Sequence, residues 1–417
     1  MTGPADNLRI DGDRLWSTLT ETAAFGATAK GGLCRLALSE EDAKVRRWFV
    51  AACEAAGCTV SVDELGDIFA RREGSDPTLP PIAIGSHLDT QPTGGRFDGI
   101  LGVLAGLEII RTLNDAGIVT RHPIEIVDWT NEEGARFAPA MLASGVFAGA
   151  FEADYARSRT DRDGVSFETA LEAIGFKGSH PAGGHPLAAF FELHIEQGPV
   201  LEDAGTEIGV VTGVQGIRWF DVQVSGLACH AGTTPMPLRR DALQGAARLA
   251  AAVDAVGRSE PGVSLSTIGI FEAFPGSRNT VPETIRMSVD LRHPRIDGLD
   301  RLDAGLREAG DRIAAELGVT IDITPIWSSP PAVFDPACVG AVREAVARLG
   351  YSRQDIVSGA GHDAVYISRV APTGMVFIPC EDGISHNEAE NITPAQAQAG
   401  ADVLLHAVLA FDAGTWP

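Results

Sequence analysis

The chain has 417 residues, more than one ordinary hydrophobic core accommodates, so two domains are expected. Hydrophobic residues make up 45% and charged residues 21%, a soluble globular balance, and no apolar run reaches the roughly 18–20 residues that span a bilayer. The formal net charge of −23 argues against a nucleic-acid or anionic-membrane partner and reads chiefly as surface solubility; an anionic substrate would need local positive charge from metals and a few arginines.

The opening, MTGPADNLRIDGDRLW, lacks a basic start followed by an apolar stretch, so no secretory signal is expected and the cytoplasm is the default compartment. Residues 81–89, PIAIGSHLD, form a short apolar run breaking into a polar loop, as a buried strand does at its carboxyl edge. From Ile100 to Ala116 the apolar positions recur at helical spacing, and Ile124–Gly134 repeats the pattern of strand followed by polar loop. Strand–helix–strand order implies a largely parallel sheet with helices on its faces. Ligands gather beyond the carboxyl ends of such strands, so the polar residues after both strands are expected to meet at one rim.

Between about Gly216 and Pro330 the pattern changes. WFDVQVSG reads as a strand, DALQGAARLAAAVDAVG as a helix, SLSTIGIFEAF and TIRMSVDLRH as strands, LDRLDAGLREAGDRIAAELG as a helix, and VTIDITPIW as a strand. That β-α-β-β-α-β order is the ferredoxin-like split unit, which can fold separately. After Pro330–Pro331 helix and strand segments resume, ending in a helix near Ala395–Phe411. The expected class is therefore α/β: one mainly parallel-sheet domain, residues 1–214 and 330–417, interrupted by a smaller α+β domain over residues 215–329. Cys34, Cys53, Cys58, Cys229, Cys338 and Cys380 are scattered, with no CxxC pair, so reduced and mostly buried thiols are expected in place of disulfides or a zinc–thiolate site.

The chemistry-bearing residues cluster where strands break. His87 and Asp89 form an HxD pair whose alternation would put both on one face, where a carboxylate can fix the tautomer of an imidazole and aim it at a metal. Asp98 follows in GGRFDG, and the glycines at 94, 95 and 99 allow a tight turn over the strand end. Glu132 and Glu133 sit in DWTNEEGARF; one could bind a metal while its neighbour takes a proton from water. His194 and Glu196 follow another apolar run in FFELHIEQGP, and His386 lies in DGISHNEAEN. Two imidazole-plus-carboxylate sets sharing a bridging carboxylate suit paired zinc, manganese or cobalt. Each piece alone is more often a solvated turn; the joint pattern is what carries weight.

The segments GSHLDTQPTGGRFDGILGVLAGLE, DWTNEEGARFAPAMLASGVFAG, ELHIEQGPVLE, CHAGTTPMPLRRDA, SRNTVPE, SVDLRH and GAGHDA…DGISHNEAE, in this order from about residue 10 onward, closely resemble N-carbamoyl-L-amino acid hydrolases, β-ureidopropionases and allantoate amidohydrolases. These are relatives of dinuclear-metal aminoacylases and carboxypeptidases. The resemblance implies two divalent ions, with Asp98 bridging them and His87 and His386 as terminal ligands on opposite ions. Glu133 would stand beside one ion and His194 beside the other. It implies Glu132 as general base and proton shuttle, Asp89 as the residue orienting His87, and Gln197 in contact with substrate. In the inserted domain, His230 would stabilise a tetrahedral oxyanion across a dimer interface, while Asn279 and Arg292 would hold a substrate carboxylate. The inserted domain would serve as lid and homodimerisation surface. His194, where many aminoacylase relatives carry a carboxylate, points to the carbamoylase branch; Cys229 departs from the asparagine that relatives often carry before this histidine.

The implied reaction is hydrolysis of an N-carbamoyl-L-amino acid or N-carbamoyl-β-alanine to amino acid, ammonia and carbon dioxide. Allantoate hydrolysis is the second reading, a metal-dependent aminoacylase or peptidase the third, and a non-enzymatic binding module the fourth. His362 and Asp363, in GAGHDA, either line the site or brace its wall. His122, His180, His185, His293 and His406 read as structural or surface residues.

Overall fold

The computed structural model describes residues 7–414; residues 1–6, part of the opening read above for a leader, lie outside the described residues. Contacts divide the chain into two units, one running to Thr212 and resuming at Val333, the other spanning Gly213–Ala332. In the first unit the chain lays down strands β1 (Thr59–Val62), β2 (Ile68–Arg72), β3 (Ile82–Ser86), β4 (Ile124–Asp128), β5 (Ala189–Ile195) and β6 (Ile208–Val214). The second contains β7 (Gly216–Ser225), β8 (Cys229–His230), β9 (Leu265–Thr267), β10 (Phe271–Phe274), β11 (Thr280–Val281), β12 (Thr284–His293) and β13 (Thr320–Ser329). The chain returns through β14 (Ala332–Val333) and completes the first unit with β15 (Arg353–Ser358) and β16 (Thr373–Ile378).

The large sheet has the order β1-β2-β4-β3-β5-β16-β6-β14, with β15 also on β6. Its centre, β4-β3-β5-β16, is parallel; β2 and β6 join that block antiparallel, and β1 pairs antiparallel with β2. Every residue of these four central strands is buried, which explains why their sequences read as unbroken apolar runs instead of alternating ones. The predicted helix after the first site strand spans Ile100–Asp115 and makes the crossover from β3 to β4. The last helix, Pro394–Ala413, starts with a capping box between Thr393 and Gln396 and with proline at its first position.

The smaller unit, taken by itself, has the sheet order β10-β12-β7-β13, with β9 also on β12. Read from the far edge, this is the arrangement of the ferredoxin-like split unit. The single strand expected over SLSTIGIFEAF is divided, since β9 and β10 pair with β12 at separate registers on either side of residues 268–270. Alternate residues of β7 (Phe220, Val222, Val224) and β12 (Ile285, Met287, Val289, Leu291) pack under the helices Ala242–Gly257 and Ile296–Leu317. All six cysteines are unpaired, and four are buried.

Candidate metal centre

The four parallel strands deliver the predicted residues at their carboxyl ends. His87 follows the last residue of β3, Glu132 and Glu133 lie in the turn after β4, His194 is near the end of β5, and His386 lies in the loop after β16. Asp98 arrives from the GGRFDG loop just before the crossover helix. Gly99 has φ +70°, and a Cβ there would sit 2.3 Å from the His87 ring, so this bend accepts no side chain.

Two ligand sets share one carboxylate. His87, Asp98 and His194 form the first and Asp98, Glu133 and His386 the second; within each, the candidate ligand atoms all lie within 4.8 Å of one another. The Nε2 atoms of His87 and His194 face Asp98 Oδ1 at 3.6 Å and 3.1 Å, while His386 Nε2 lies 3.5 Å from Asp98 Oδ2 and 3.4 Å from Glu133 Oε2. Asp98 is the carboxylate common to both sets.

The chemistry of these donors fits divalent cations. His87 Nδ1 lies 2.9 Å from the carbonyl oxygen of Asp89, and His194 Nδ1 lies 2.9 Å from that of Ile195. A carbonyl only accepts, so each Nδ1 carries a proton and each ring turns its Nε2 toward Asp98. Imidazole nitrogens converging on carboxylate oxygens in a dry site call for positive charge among them, from protons or from cations. Carboxyl acidity tells the same story. Burial pushes Glu133 up to about 8, with Asp98 adding to the effect, and Asp89 up to about 6. Burial also works against an ionised Asp98, but the His194 and His87 imidazoles overcome it and hold its pKa well below the usual range. Without cations the site carries more carboxylate than it can comfortably ionise.

Glu132 belongs to neither ligand set. Its N–H donates to Asp89 Oδ1 at 3.2 Å, and its Oε2 lies 3.5 Å from His87 Nε2. Asn131, at φ +62°, turns the chain and donates from its amide to the carbonyl of Phe137. Asp89 touches His87 differently from the expectation. β3 ends at Ser86, so the extended alternation does not persist; the imidazole is met by the Asp89 carbonyl, with the carboxylate at 3.7 Å and turned to Glu132. Gln197 donates from Nε2 to Asp98 Oδ2 at 2.9 Å and to Ser385 Oγ at 3.2 Å, which places it against the shared carboxylate. Glu196 lies outside the centre and accepts the N–H groups of Val200 and Leu201.

Supporting residues had no local signature in the sequence. Gln91 grips Glu133 with its backbone N–H at 3.1 Å and its side-chain amide at 2.7 Å. Glu192 accepts Ser86 Oγ at 2.8 Å and the Ala364 N–H at 3.2 Å. His362 is buried edge-on against His194, ring centroids 4.5 Å apart, and burial drives its pKa well down, with His194 adding to that; Asp363 accepts Ser144 Oγ. The ligand atoms of His362, Glu192 and His194 also lie within 4.8 Å of one another, a third set able to hold a cation. Among the other histidines, His122 and His406 meet the carbonyls of Pro80 and Leu8, His185 meets Glu125, and His293 is buried beside Arg295.

In the smaller unit, β8 pairs His230 with Thr280 of β11, and the Ala231 N–H donates to the Asn279 carbonyl at 2.9 Å. The Gly232 N–H donates to His230 Nδ1 at 3.0 Å, so the neutral ring carries its proton on Nε2, the tautomer an oxyanion donor needs. Arg239 clasps this loop through the carbonyls of Thr234 and Ala231. Asn279 Oδ1 accepts Ser277 Oγ, and the Arg292 guanidinium pairs with Asp290 at 2.9 Å.

The chain is similar to known proteins over most of its length. The family model for peptidase family M20/M25/M40 matches residues 83–410. An N-carbamoyl-L-amino-acid amidohydrolase of Rhizobium meliloti is 47% identical over 409 residues, 98% of each chain. A ureidoglycolate hydrolase of Arabidopsis thaliana is 34% identical over 418 residues, covering 96% of this chain and 86% of that protein. The crystal structure of an amidase of the hydantoinase/carbamoylase family from Burkholderia multivorans matches with a TM-score of 0.94 at 54% identity, covering 97% of this chain and 98% of that one. With residues gathered at the strand ends into sets able to hold metal, and a family match spanning most of its length, the chain belongs to peptidase family M20/M25/M40.

Proposed function

We propose that this chain hydrolyses the carbamoyl C–N bond of N-carbamoyl amino acids, releasing the amino acid, ammonia and carbon dioxide. The observation that carries the reading is Asp98 shared by two ligand sets with Glu132 beside them, on a chain 47% identical to a protein named for this activity. His87 and His194 would hold one ion, Glu133 and His386 the other, and Asp98 both; zinc, manganese and cobalt all suit imidazole with carboxylate. When bound, such a pair acidifies water and polarises a carbonyl oxygen.

The chain's own residues do the rest. Glu132 accepts a proton from the attacking water as its oxygen adds to the ureido carbon. The bond from that carbon to the amino-acid nitrogen then breaks, and Glu132 returns the proton to the leaving nitrogen. The carbamic acid left behind falls apart to ammonia and carbon dioxide. His230, with Nε2–H outward, would donate to the developing oxyanion. Gln197 would turn from Asp98 toward substrate, and Asp89 would keep His87 and Glu132 in register. Asn279 and Arg292 would hold the substrate carboxylate, Arg292 with Asp290 behind it. Closure of the smaller unit as a lid would exclude water, and the same unit would form a homodimer; the partly exposed pair Trp219 and Trp327, ring centroids 4.9 Å apart, offers apolar surface for that contact. No helix among the described residues is long and apolar enough to cross a membrane, and six unpaired cysteines suit the reducing cytoplasm, where we place the protein.

A second reading keeps the site and changes the substrate. The relative named ureidoglycolate hydrolase, 34% identical over 96% of this chain, favours other ureido compounds, allantoate among them. An ammonia-release panel separates these readings: N-carbamoyl-β-alanine, several N-carbamoyl-L-amino acids and allantoate, each with added zinc, manganese or cobalt. We expect fastest release from an N-carbamoyl-L-amino acid. Fastest release from allantoate would transfer the assignment to it, and an acyl acid released from N-acyl substrates without any ammonia from the panel would make the protein an aminoacylase. Arg292→Ala should raise KM for carboxylate substrates about 10–100-fold, the loss of one charged hydrogen-bond pair, with a smaller effect on kcat. An unchanged KM would remove Arg292 from the carboxylate site.

A further inference from the structure

Besides Glu132 and Asp89, a further buried carboxylate lies at the centre outside both ligand sets. Glu390 follows His386 by four residues and is 1% exposed. Its Oε1 accepts the main-chain N–H groups of both Phe97 and Asp98, each at 3.0 Å, and its Oε2 accepts the Ser385 hydroxyl at 3.0 Å. The same Ser385 oxygen lies 3.1 Å from Asp98 Oδ2. The pocket is cut to this carboxylate from the far side as well: a Cβ on Gly95 would sit 2.0 Å from Glu390 Cδ and Oε1. Beside it, Arg96 donates to Asn391 Oδ1 at 2.9 Å, so two consecutive residues of one loop grip three of the other.

We propose that Glu390 is a positioning residue for the cation pair, a latch that fastens the Asp98 loop to the His386 loop so that one carboxylate serves both ions. The proposal rests on the two-ion reading given above. A carboxylate is costly to bury, and a cavity that needed only filling would be served by an apolar side chain. What a carboxylate adds here is its grip on two successive N–H groups, which fixes the backbone at Phe97–Asp98 and hence the direction of the bridging side chain. Through Ser385 the other oxygen holds the residue directly before His386. Asp98 and His386 come from loops almost 300 residues apart in the chain, and Glu390 hydrogen-bonds to both loops. Its action is on ligand geometry, so its loss should show in cation affinity ahead of substrate affinity.

Glu390→Ala, Glu390→Gln and Gly95→Ala test this in the full chain, stripped of metal with a chelator, shown folded by circular dichroism and titrated with Co2+ by calorimetry and visible absorption. The unaltered chain is expected to bind Co2+ in two steps. Glu390→Ala should weaken binding about 10–100-fold, with kcat restored by excess Co2+ and KM for substrate unchanged. Glu390→Gln keeps an oxygen for both N–H groups, and Ser385 can accept from its amide, so it should rescue most of the affinity. Gly95→Ala, pressing on the same carboxylate from the other side, should reproduce the Glu390→Ala loss, and it decides the question if Glu390→Ala does not fold. Folded variants with lowered Tm and unaltered Co2+ affinity would reduce Glu390 to packing and overturn the proposal. An unaltered chain that takes up no Co2+ would instead overturn the two-ion reading itself.

Discussion

Replacing Glu132 with glutamine is expected to lower kcat by about 10²–10⁴-fold, the usual contribution of a positioned proton-transfer group, while leaving bound cations in place. The separation of effects follows from geometry. Glu132 stands 3.5 Å from His87 Nε2 but is absent from both ligand sets, and glutamine preserves its size and its backbone bond to Asp89. What glutamine lacks is the ability to take a proton from water and return it to the leaving nitrogen. Burial pushes the Glu132 carboxyl well up; His87 opposes that shift, whereas Asp363, Glu133 and Asp89 reinforce it. Positive charge at the ligand sets would oppose that rise and favour the carboxylate form that accepts a proton. Steady-state rates measured beside metal content by mass spectrometry check this. A variant with full metal and most of its kcat would assign the proton transfer to another group.

The parts of the site legible in the sequence were those with local chemistry. HLD, NEEG and LHI each put a ligand-type residue where an apolar run breaks, and parallel-sheet topology alone brings such breaks to one edge, whereas FDG and SHN lie in loops. The supporting residues were not legible, because their partners are distant in the chain: Gln91 meets Glu133, Glu192 meets Ser86, and Glu390 meets Asp98 across 292 positions. Nothing in NEAEN distinguishes Glu390 from a solvated loop carboxylate. The expectation for Asp89 rested on strand alternation, which needs the strand to continue; β3 stops at Ser86, and the His87 ring meets the Asp89 carbonyl. The unbroken strand expected near Phe271 fails for a related reason. Residues 268–270 interrupt the pairing with β12, an irregularity that hydrophobic pattern does not reveal. The roles of His230, Asn279 and Arg292 came from resemblance alone. The structure adds the tautomer of His230 and the Asp290 partner of Arg292.

Arg46→Met should cost about 3–5 kcal/mol of stability, the penalty for leaving buried carboxylates without their cation, and the loss should be larger at about pH 8 than at about pH 5.5. Arg46 is completely buried beneath the site, with Nε 2.9 Å from Asp42 Oδ2 and Nη1 3.3 Å from Asp128 Oδ2, both carboxylates equally buried. Its remaining donors reach the Gly66 carbonyl at 2.8 Å and Thr130 Oγ1 at 3.1 Å. Asp128 in turn accepts the N–H of Leu88, the residue between His87 and Asp89, so this ion network supports the turn that carries the first ligand. Burial raises Asp128 to about 7 even against the pull of Arg46, and removing the guanidinium would raise it further. A folded-state pKa above the unfolded value of about 3.9 means that the group's stabilising contribution is whole below that value and is lost as pH rises through the folded pKa. In acid, therefore, Asp128 can take a proton and shed its uncompensated charge in the variant. At about pH 8 it must either stay charged and unpaired or take a proton at a free-energy cost that grows with pH, and the larger penalty appears. Urea unfolding at the two pH values reads the difference directly. Equal losses at both would mean that Asp128 does not carry the penalty, and Arg46→Met paired with Asp42→Leu would then show whether Asp42 does.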